Sequence, residues 1–436
     1  MKFFIETYGC QMNLSDSFEV KKILKDAGLV EADKEEDADV VVINTCSVRN
    51  TAEERVLGRL GYLKGLKSKK PDLKIYITGC MAQSWGKKLF EFAPHIDGVF
   101  GTYNRSKMIS HILSRDSYVV DVRMDRYEFL PATVDYQYPF KAFVTVIHGC
   151  NHSCTYCIVP KTRGKEVSRP LNEIIEDIKR LVDEGVVEVM LLGQNINSYG
   201  RDIGTSFKEL LTEVNKIEGI KRIRFLTSHP INFKEDLIDR ISELEKVCRY
   251  FHLPVQSGSN RILKLMKRGY TYEYYVRMIE YIRNRMPDAS ISTDIIVGFP
   301  SETEEDFEMT LKLVEEVRFD FSYMFIFNPK VGTPAATMPD QVPEEVKVER
   351  IQRLIELQHK ISRDSNLMDV GKEFEVLVEE RGKYEGQLLG RTAYNKMVAF
   401  EGDTTLIGKF VNVRVDDLSG NTLIGSLVRN EVGITQ

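Results

Sequence analysis

Three short β-branched or aromatic runs near the start of the chain each end in a cysteine, and a helix-like segment follows each one. The runs are Phe3-Phe-Ile-Glu-Thr-Tyr-Gly-Cys10, Val40-Val-Val-Ile-Asn-Thr-Cys46 and Ile75-Tyr-Ile-Thr-Gly-Cys80. Each is bounded by polar residues and predicts a buried strand. The segments after them are Ser15 to Ala27, Asn50 to Lys67 and Gln83 to Phe92. Strand and helix in alternation predict a parallel sheet, whose loops gather at the carboxyl edge. Three cysteines far apart in sequence therefore become neighbours in space. They also stand near helix amino termini, where the helix dipole favours thiolate and an anionic ligand. Any one of them alone reads as a buried cysteine. Their shared topological position argues for a ligand set.

A second trio is local. In His148-Gly-Cys-Asn-His-Ser-Cys-Thr-Tyr-Cys-Ile158, Cys150, Cys154 and Cys157 are spaced so that one loop can wrap one cluster. A cubane used for electron transfer alone takes four thiolates, so a set of three leaves one iron open for chemistry. Zinc is the competing reading, because His148 and His152 flank the loop. Structural zinc sites, however, pair two short knuckles, and no second knuckle follows. The seventh cysteine, Cys248, reads as a strand core residue.

An odd count of seven cysteines, with no secretory start and no apolar run long enough to span a membrane, predicts a reducing cytoplasm. The length of 436 residues suggests two or three domains, and a net charge of −5 argues against a general polyanion binder. Any nucleic-acid surface must be local.

From about Tyr138 a second strand and helix series begins. Strands are expected at Ala142 to Ile147, Val187 to Leu192, Ile223 to Leu226, Tyr250 to Val255, Ser290 to Val297 and Tyr323 to Phe327. Helices are expected at Leu171 to Asp183, Phe207 to Lys216, Glu235 to Leu244, Glu273 to Arg285 and Glu304 to Glu316. Six such strands make a partial barrel, with its site at the carboxyl ends of the strands. That rule selects Cys150, Gln194 and Asn195, Thr227 to His229, Gln256 to Gly258, and Asp294 with Val297 and Gly298.

A charged helix from Glu344 to Ser365 leads into glycine-punctuated, alternating sequence. Phe374 to Val378, Tyr384 to Arg391, Met397 to Phe400, Phe410 to Val415 and Leu423 to Val428 predict a small antiparallel barrel. The predicted class is thus α/β: an N-terminal parallel sheet domain (1–122), a central partial (β/α)6 TIM-like barrel (136–367) and a C-terminal β-barrel (369–432). From Gly371 to Gln436 there are eight Lys or Arg against ten Asp or Glu, which weakens the case for an electrostatic grip through that barrel alone. Basic runs stand elsewhere: Lys161, Arg163, Lys165 and Arg169 after the cysteine loop, and Arg55, Arg59, Lys64, Lys67, Lys69 and Lys70 after Cys46. Both adjoin cluster loops, so phosphate positioning is expected there.

The Cys150 loop resembles the signature of radical S-adenosylmethionine (SAM) enzymes, with Tyr156 as the aromatic residue before the last cysteine. That resemblance implies a SAM chelating the open iron and split by one electron into methionine and a 5′-deoxyadenosyl radical. Gln194 and Asn195 stand where the family contacts the SAM amino group. Thr227 and Ser228 are candidates for ribose or methionine contacts, and Asp294 and Val297 for the adenine region. The terminal barrel resembles the TRAM domain of RNA-modifying enzymes.

The whole order is similar to the methylthiotransferase family. The branch acting on tRNA is indicated by Tyr8-Gly-Cys-Gln-Met-Asn13, Asn44-Thr-Cys-Ser-Val-Arg49, Thr162-Arg-Gly-Lys-Glu-Val-Ser-Arg-Pro170, Leu192-Gly-Gln-Asn195 and Leu253-Pro-Val-Gln-Ser-Gly-Ser259. The family then implies two [4Fe–4S] clusters, one on Cys150, Cys154 and Cys157 as radical source, the other on Cys10, Cys46 and Cys80 as sulfur site. One SAM methylates the sulfur and a second supplies the radical that activates carbon 2 of an N6-isopentenyl adenosine beside the anticodon, extruded from its stack. Asn13, Arg163, Lys165 and Gln256 are expected at the RNA. The implied partners are tRNA, an electron donor such as flavodoxin or ferredoxin, and a sulfur donor, around a monomer.

One stretch departs from the family pattern. Phe327-Asn-Pro-Lys-Val-Gly-Thr333 carries Lys330 where arginine is usual, keeping the charge but losing the planar fork. Alternatives are a methylthiotransferase acting on threonylcarbamoyl adenosine or on a ribosomal-protein aspartate, and a noncatalytic iron–sulfur RNA-binding protein.

Overall fold

The computed structural model describes residues 1–47 and 50–428, so Val48 and Arg49 of the Asn44 motif, and the end of the C-terminal range beyond Val428, lie outside it. Two compact units result. One comprises Met1–Gln137, Lys141–Gly219 and Asn328–Thr337; the other comprises Tyr138–Phe140, Ile220–Phe327 and the chain from Met338.

In the first unit, six parallel strands run in the order Val30–Glu31, Lys2–Thr7, Val40–Thr45, Lys74–Gly79, Gly98–Phe100 and Val119–Asp121. Strands covered on both faces need hydrophobic residues at consecutive positions, which is what Val40-Val-Val-Ile43 supplies. Val41 and Ile43 pack with Ile75, Ile77 and, from the helix Asn50–Lys69, Val56, Leu60 and Leu63. Val40 and Val42 face the other way, against Phe3, Tyr76, Val20 and Leu24 of the helix Gln11–Asp26, and Met108 and Ile112 of the helix Arg105–Ser114. The helix expected from Gln83 to Phe92 is two pieces, Cys80–Trp85 and Lys88–Phe92. Gly86 adopts φ +52° between them and ends the first, a conformation open to glycine at little cost.

The same unit holds the first strands of the second series. Lys141–Thr145 pairs in parallel with Glu188–Leu192, register Lys141↔Glu188 to Thr145↔Leu192, and antiparallel with the short edge strand Thr133–Val134. A two-residue hairpin, Ile147–His148 against Val167–Ser168, closes the base of the segment that carries Cys150, Cys154 and Cys157.

In the second unit, Tyr250–His252, Ser290–Val297 and Phe321–Ile326 form a parallel sheet, and Arg222–Phe225 bridges in parallel from Ile223 to Val247. All six expected strands are therefore present. The helix Glu344–Leu367 precedes a closed barrel of Glu373–Arg381, Gln387–Thr392, Met397–Glu401, Thr422–Leu427 and Phe410–Ser419. The barrel is not wholly antiparallel. Val398↔Leu423 and its neighbours pair in parallel, which closes the sheet around Val376, Leu388, Phe400, Val413 and Leu423. It is bolted to its own unit by two arginines. Arg222 donates to the carbonyls of Arg391 and Glu375, both at 2.7 Å, and Arg224 donates to that of Thr392 at 2.7 Å.

Candidate iron–sulfur and substrate site

The first cysteine set is assembled by strand register. Thr7 pairs with Asn44 and Thr45 with Gly79, so the residues that follow leave one sheet edge side by side. Hydrogen bonds lock the three turns together. Asn13 donates to Asn44 Oδ1 at 2.9 Å and to the Thr45 carbonyl at 3.0 Å; Asn44 Nδ2 returns a bond to the Asn13 carbonyl at 2.8 Å. Thr45 Oγ1 donates to the Thr78 carbonyl at 2.5 Å and accepts from Ala82 N–H at 3.2 Å. Gly79 has φ +95°, and a Cβ there would fall 2.4 Å from the Thr45 carbonyl oxygen, so only glycine lets the Cys46 and Cys80 turns approach. Gly9 is similarly confined, its missing Cβ 3.0 Å from Cys46 Cβ.

Cys10 caps the helix Gln11–Asp26 and is exposed, while Cys80 opens the helix Cys80–Trp85. Three thiols on adjoining turns, two of them at helix starts, fit an anionic three-coordinated cluster. Among the described residues no three His, Cys, Asp or Glu converge on a single-ion site. A cubane spreads its thiolates over three irons and needs a wider spacing than one ion does.

The Cys150 loop is held by its own backbone. Cys150 N–H donates to the Gly164 carbonyl at 3.1 Å and Cys157 N–H to the Cys154 carbonyl at 3.1 Å. Gly149 sits at φ +82°, with Lys165 O 2.0 Å from where a Cβ would be. Its N–H donates to the Gln194 side-chain oxygen, so Gln194 fixes the entry to the loop. Asn195 donates to Glu166 at 2.9 Å and Ser198 at 2.6 Å, leaving a buried Oδ1 without a partner among the described residues. An orphaned acceptor beside the cysteine loop fits an ammonium such as the amino group of SAM. Glu166, which orients Asn195, was not singled out by strand-end reasoning. Its signal is its place in the Thr162 to Pro170 motif.

Cys150, Cys154 and Cys157 line a cavity of about 1530 Å³, walled by Tyr103, Phe129, Arg123, Arg126 and Lys165 among others. That volume admits a cluster, a cofactor and a base. Lys165 is exposed at its rim. His148 lies among aromatic rings, away from solvent. Its ring is fully buried, stacked on Tyr127 with centroids 3.6 Å apart and edge-on to Tyr103. Burial, with Arg163 and Arg105 nearby, drives its pKa well below the usual histidine value and keeps it neutral.

Two expected RNA contacts turn inward. Asn13 is fully buried in the clamp just described. Arg163 is 2% exposed and donates to Asp16 at 2.9 Å. Neither offers surface to a phosphate. In the second basic run Arg59 binds Glu6 and Glu35 and Lys67 binds Asp97, whereas Arg55, Lys64 and Lys69 are exposed. Lys330 binds Glu53 at 3.2 Å, a single contact that lysine can make without a fork.

In the second unit, Thr227 (φ +67°) and Gln256 (φ +76°) are left-handed at strand ends, a conformation that is strained for β-branched Thr227. Gln256 is nearly buried and bridges to Ile295, its N–H donating to the Asp294 carbonyl at 2.8 Å. Asp294 Oδ1 also lies 3.4 Å from His252 Nε2. Ser228 Oγ is buried with no partner among the described residues, a second orphan at a strand end. Val297 is buried and its carbonyl accepts from Phe327 N–H at 2.8 Å.

Family models match in the same order as the folded parts. They are the Uncharacterized protein family UPF0004 over residues 2–101, the Radical SAM superfamily over 144–314 and the TRAM domain over 368–428. A solved radical SAM methyltransferase, TsrM from Kitasatospora setae, shares the fold with a TM-score of 0.57 at 14% identity, covering 77% of this chain and 75% of its own. Curated relatives are much nearer. The tRNA-2-methylthio-N(6)-dimethylallyladenosine synthase of Acetivibrio thermocellus is 48% identical over 98% of this chain and 91% of its own. The enzyme of that name from Carboxydothermus hydrogenoformans is 47% identical over 95% and 96%. With near-complete coverage at that identity, and both cysteine sets standing on the turns described, the chain belongs to the tRNA-2-methylthio-N(6)-dimethylallyladenosine synthase family of radical SAM enzymes.

Proposed function

We propose that this enzyme converts N6-isopentenyladenosine next to the anticodon of tRNA into its 2-methylthio derivative. The observation that carries the reading is the near-full-length identity to synthases of that name, in a chain that keeps all six cysteines on paired turns. When bound, SAM and the two [4Fe–4S] clusters supply the methyl group, the sulfur and the 5′-deoxyadenosyl radical. The protein's part is placement. Cys150, Cys154 and Cys157 hold the radical cluster in a loop whose base is pinned by Gln194 and by the Ile147–Val167 hairpin. Asn195 Oδ1 would accept from the SAM amino group and Tyr156 would flank the cluster; in the second unit Thr227, Ser228, Asp294 and Val297 are the candidates for the rest of the cofactor.

Cys10, Cys46 and Cys80 hold the auxiliary cluster. Lys165 and the basic wall of the cavity, with Arg123 and Arg126, take tRNA phosphates; in the second unit Gln256 is the candidate RNA contact. No side chain is assigned to acid–base chemistry, because radical substitution at an aromatic carbon needs none in its central steps. A flavodoxin or ferredoxin supplies electrons, a separate donor restores sulfur, and the enzyme works as a cytoplasmic monomer. Among the described residues no helix is long and apolar enough to cross a membrane.

The test is direct. Reconstituted enzyme with reductant, SAM and isopentenylated tRNA should yield a methylthio nucleoside on digestion and mass analysis. Full iron content without that product refutes the reading.

A further inference from the structure

Arg163 stands in the basic run that the sequence assigns to RNA, yet the fold has built it into the interior. Its Nη2 donates to Asp16 Oδ2 at 2.9 Å, and Asp16 is itself held by Arg105, which also donates to Glu19 at 2.6 Å and to the Tyr127 hydroxyl at 2.7 Å. The backbone around Arg163 is fixed as well. Thr102 Oγ1 donates to the Thr162 carbonyl at 2.6 Å, and the Tyr103 hydroxyl donates to that of Arg163 at 3.2 Å. Held in this way, the guanidinium keeps one buried nitrogen, Nη1, with no partner among the described residues. A buried charged donor without an acceptor is costly, and native structures seldom leave one.

The auxiliary cysteines stand beside it: Asp16 lies on the helix that Cys10 caps, and the helix Val159–Arg163 packs against the helix Cys80–Trp85. One residue beyond Arg163, the Gly164 carbonyl accepts from Cys150 N–H at 3.1 Å. Gly164 therefore ties this segment to the Cys150 loop, while Arg163 ties it to the helix that follows Cys10.

We infer that Arg163 is a positioning residue for the auxiliary cluster: its unpartnered guanidinium N–H donates to sulfur in a cluster on Cys10, Cys46 and Cys80, while adjacent Gly164 anchors the Cys150 loop. The inference rests on the assignment of that cysteine trio to a cluster. Hydrogen bonds to cluster sulfur and nearby positive charge stabilise the reduced, more negative state and raise the reduction potential. Arg163 thereby tunes the auxiliary cluster and ties its position to the radical loop. It does not serve as an RNA contact.

The experiment uses full-length protein carrying Cys150→Ala, Cys154→Ala and Cys157→Ala, which leaves only the auxiliary cluster. Its midpoint potential is measured by redox titration with electron paramagnetic resonance, with Arg163 intact, as Arg163→Met and as Arg163→Lys. Asp16 keeps Arg105 in both variants, which preserves the buried pair. The inference predicts roughly four irons in all three proteins. It also predicts a tenfold loss of reduced relative to oxidised cluster at fixed potential in Arg163→Met, which is a fall of about 59 mV for one electron. Arg163→Lys, with charge but no fork, should fall by less. Normal iron content with an unshifted potential and unchanged spectrum in Arg163→Met overturns the inference. Absence of iron from the parent with Arg163 intact overturns the cysteine assignment and the inference with it. If Arg163→Met alone fails to assemble iron, the Arg163→Lys titration decides: an unshifted potential there, with no spectral change, overturns the inference, and a lowered one supports it.

Discussion

Asn13 is the keystone of the auxiliary site, and replacing it with alanine measures how much the site costs to hold together. The substitution deletes two buried donors, leaving Asn44 Oδ1 and the Thr45 carbonyl without bonds now made at 2.9 and 3.0 Å. It also removes the oxygen to which the Cys10 thiol donates at 3.4 Å. Each buried acceptor left unmade costs about 1–3 kcal/mol, and partial relaxation of the turns brings the sum to about 2–4 kcal/mol. For a unit of roughly 150–250 residues that is a fall in Tm of about 5–15 °C. Urea unfolding of the cluster-free protein followed by circular dichroism reads this directly.

A cycle with Asn44→Ala isolates the bond. The pair should couple by about 1–2 kcal/mol, the second substitution costing less once the first is present. Strict additivity, or a single-variant change below about 0.5 kcal/mol, would mean that the three turns are held by the sheet alone, and the clamp argument would fall.

Glu302 gives a pH signature in the second unit. Burial pushes it up to about 7, outweighing the Gly298 N–H at 2.6 Å and Arg350 at 2.9 Å that favour its ionised form. A raised carboxyl contributes stability that is complete below its unfolded pKa and is lost as pH rises through about 7. Unfolding free energy should therefore decline between roughly pH 4.5 and 7 by up to about 3 kcal/mol, and Glu302→Gln should flatten that slope; equal slopes contradict the assignment. Arg222→Ala with Arg224→Ala strips bonds from three barrel carbonyls and should let the C-terminal barrel melt as a separate calorimetric transition, where the parent unit shows one. Lys165→Ala should weaken tRNA binding and reduce its salt slope by about one, whereas Arg163→Lys should leave both unchanged; the reverse pattern would restore Arg163 to the RNA surface.

The architecture was legible wherever a local pattern determined it. The helix Leu171–Asp183 falls where its periodicity places it, and the convergence of Cys10, Cys46 and Cys80 follows from strand and helix alternation. What escaped depended on partners far away in the chain. Gly98–Phe100 and Val119–Asp121 are three residues each, too short to show a period, and exist because the sheet offers them an edge. The parallel closure at Val398↔Leu423 is a property of barrel registry. Asn13 and Arg163 look like surface polar residues because their partners lie 31 and 147 positions away. Charge in a sequence reports a side chain's cost of burial, and only the fold reveals that the cost has been met.

The central claim is that two clusters divide the work, and Cys46→Ser tests it most directly. Anaerobically reconstituted parent should hold roughly eight irons per chain and the variant about four. With reductant, SAM and isopentenylated tRNA, the variant should still release 5′-deoxyadenosine and form no methylthio nucleoside. Loss of both products at about four irons, or methylthio product from the variant, would contradict the division of labour.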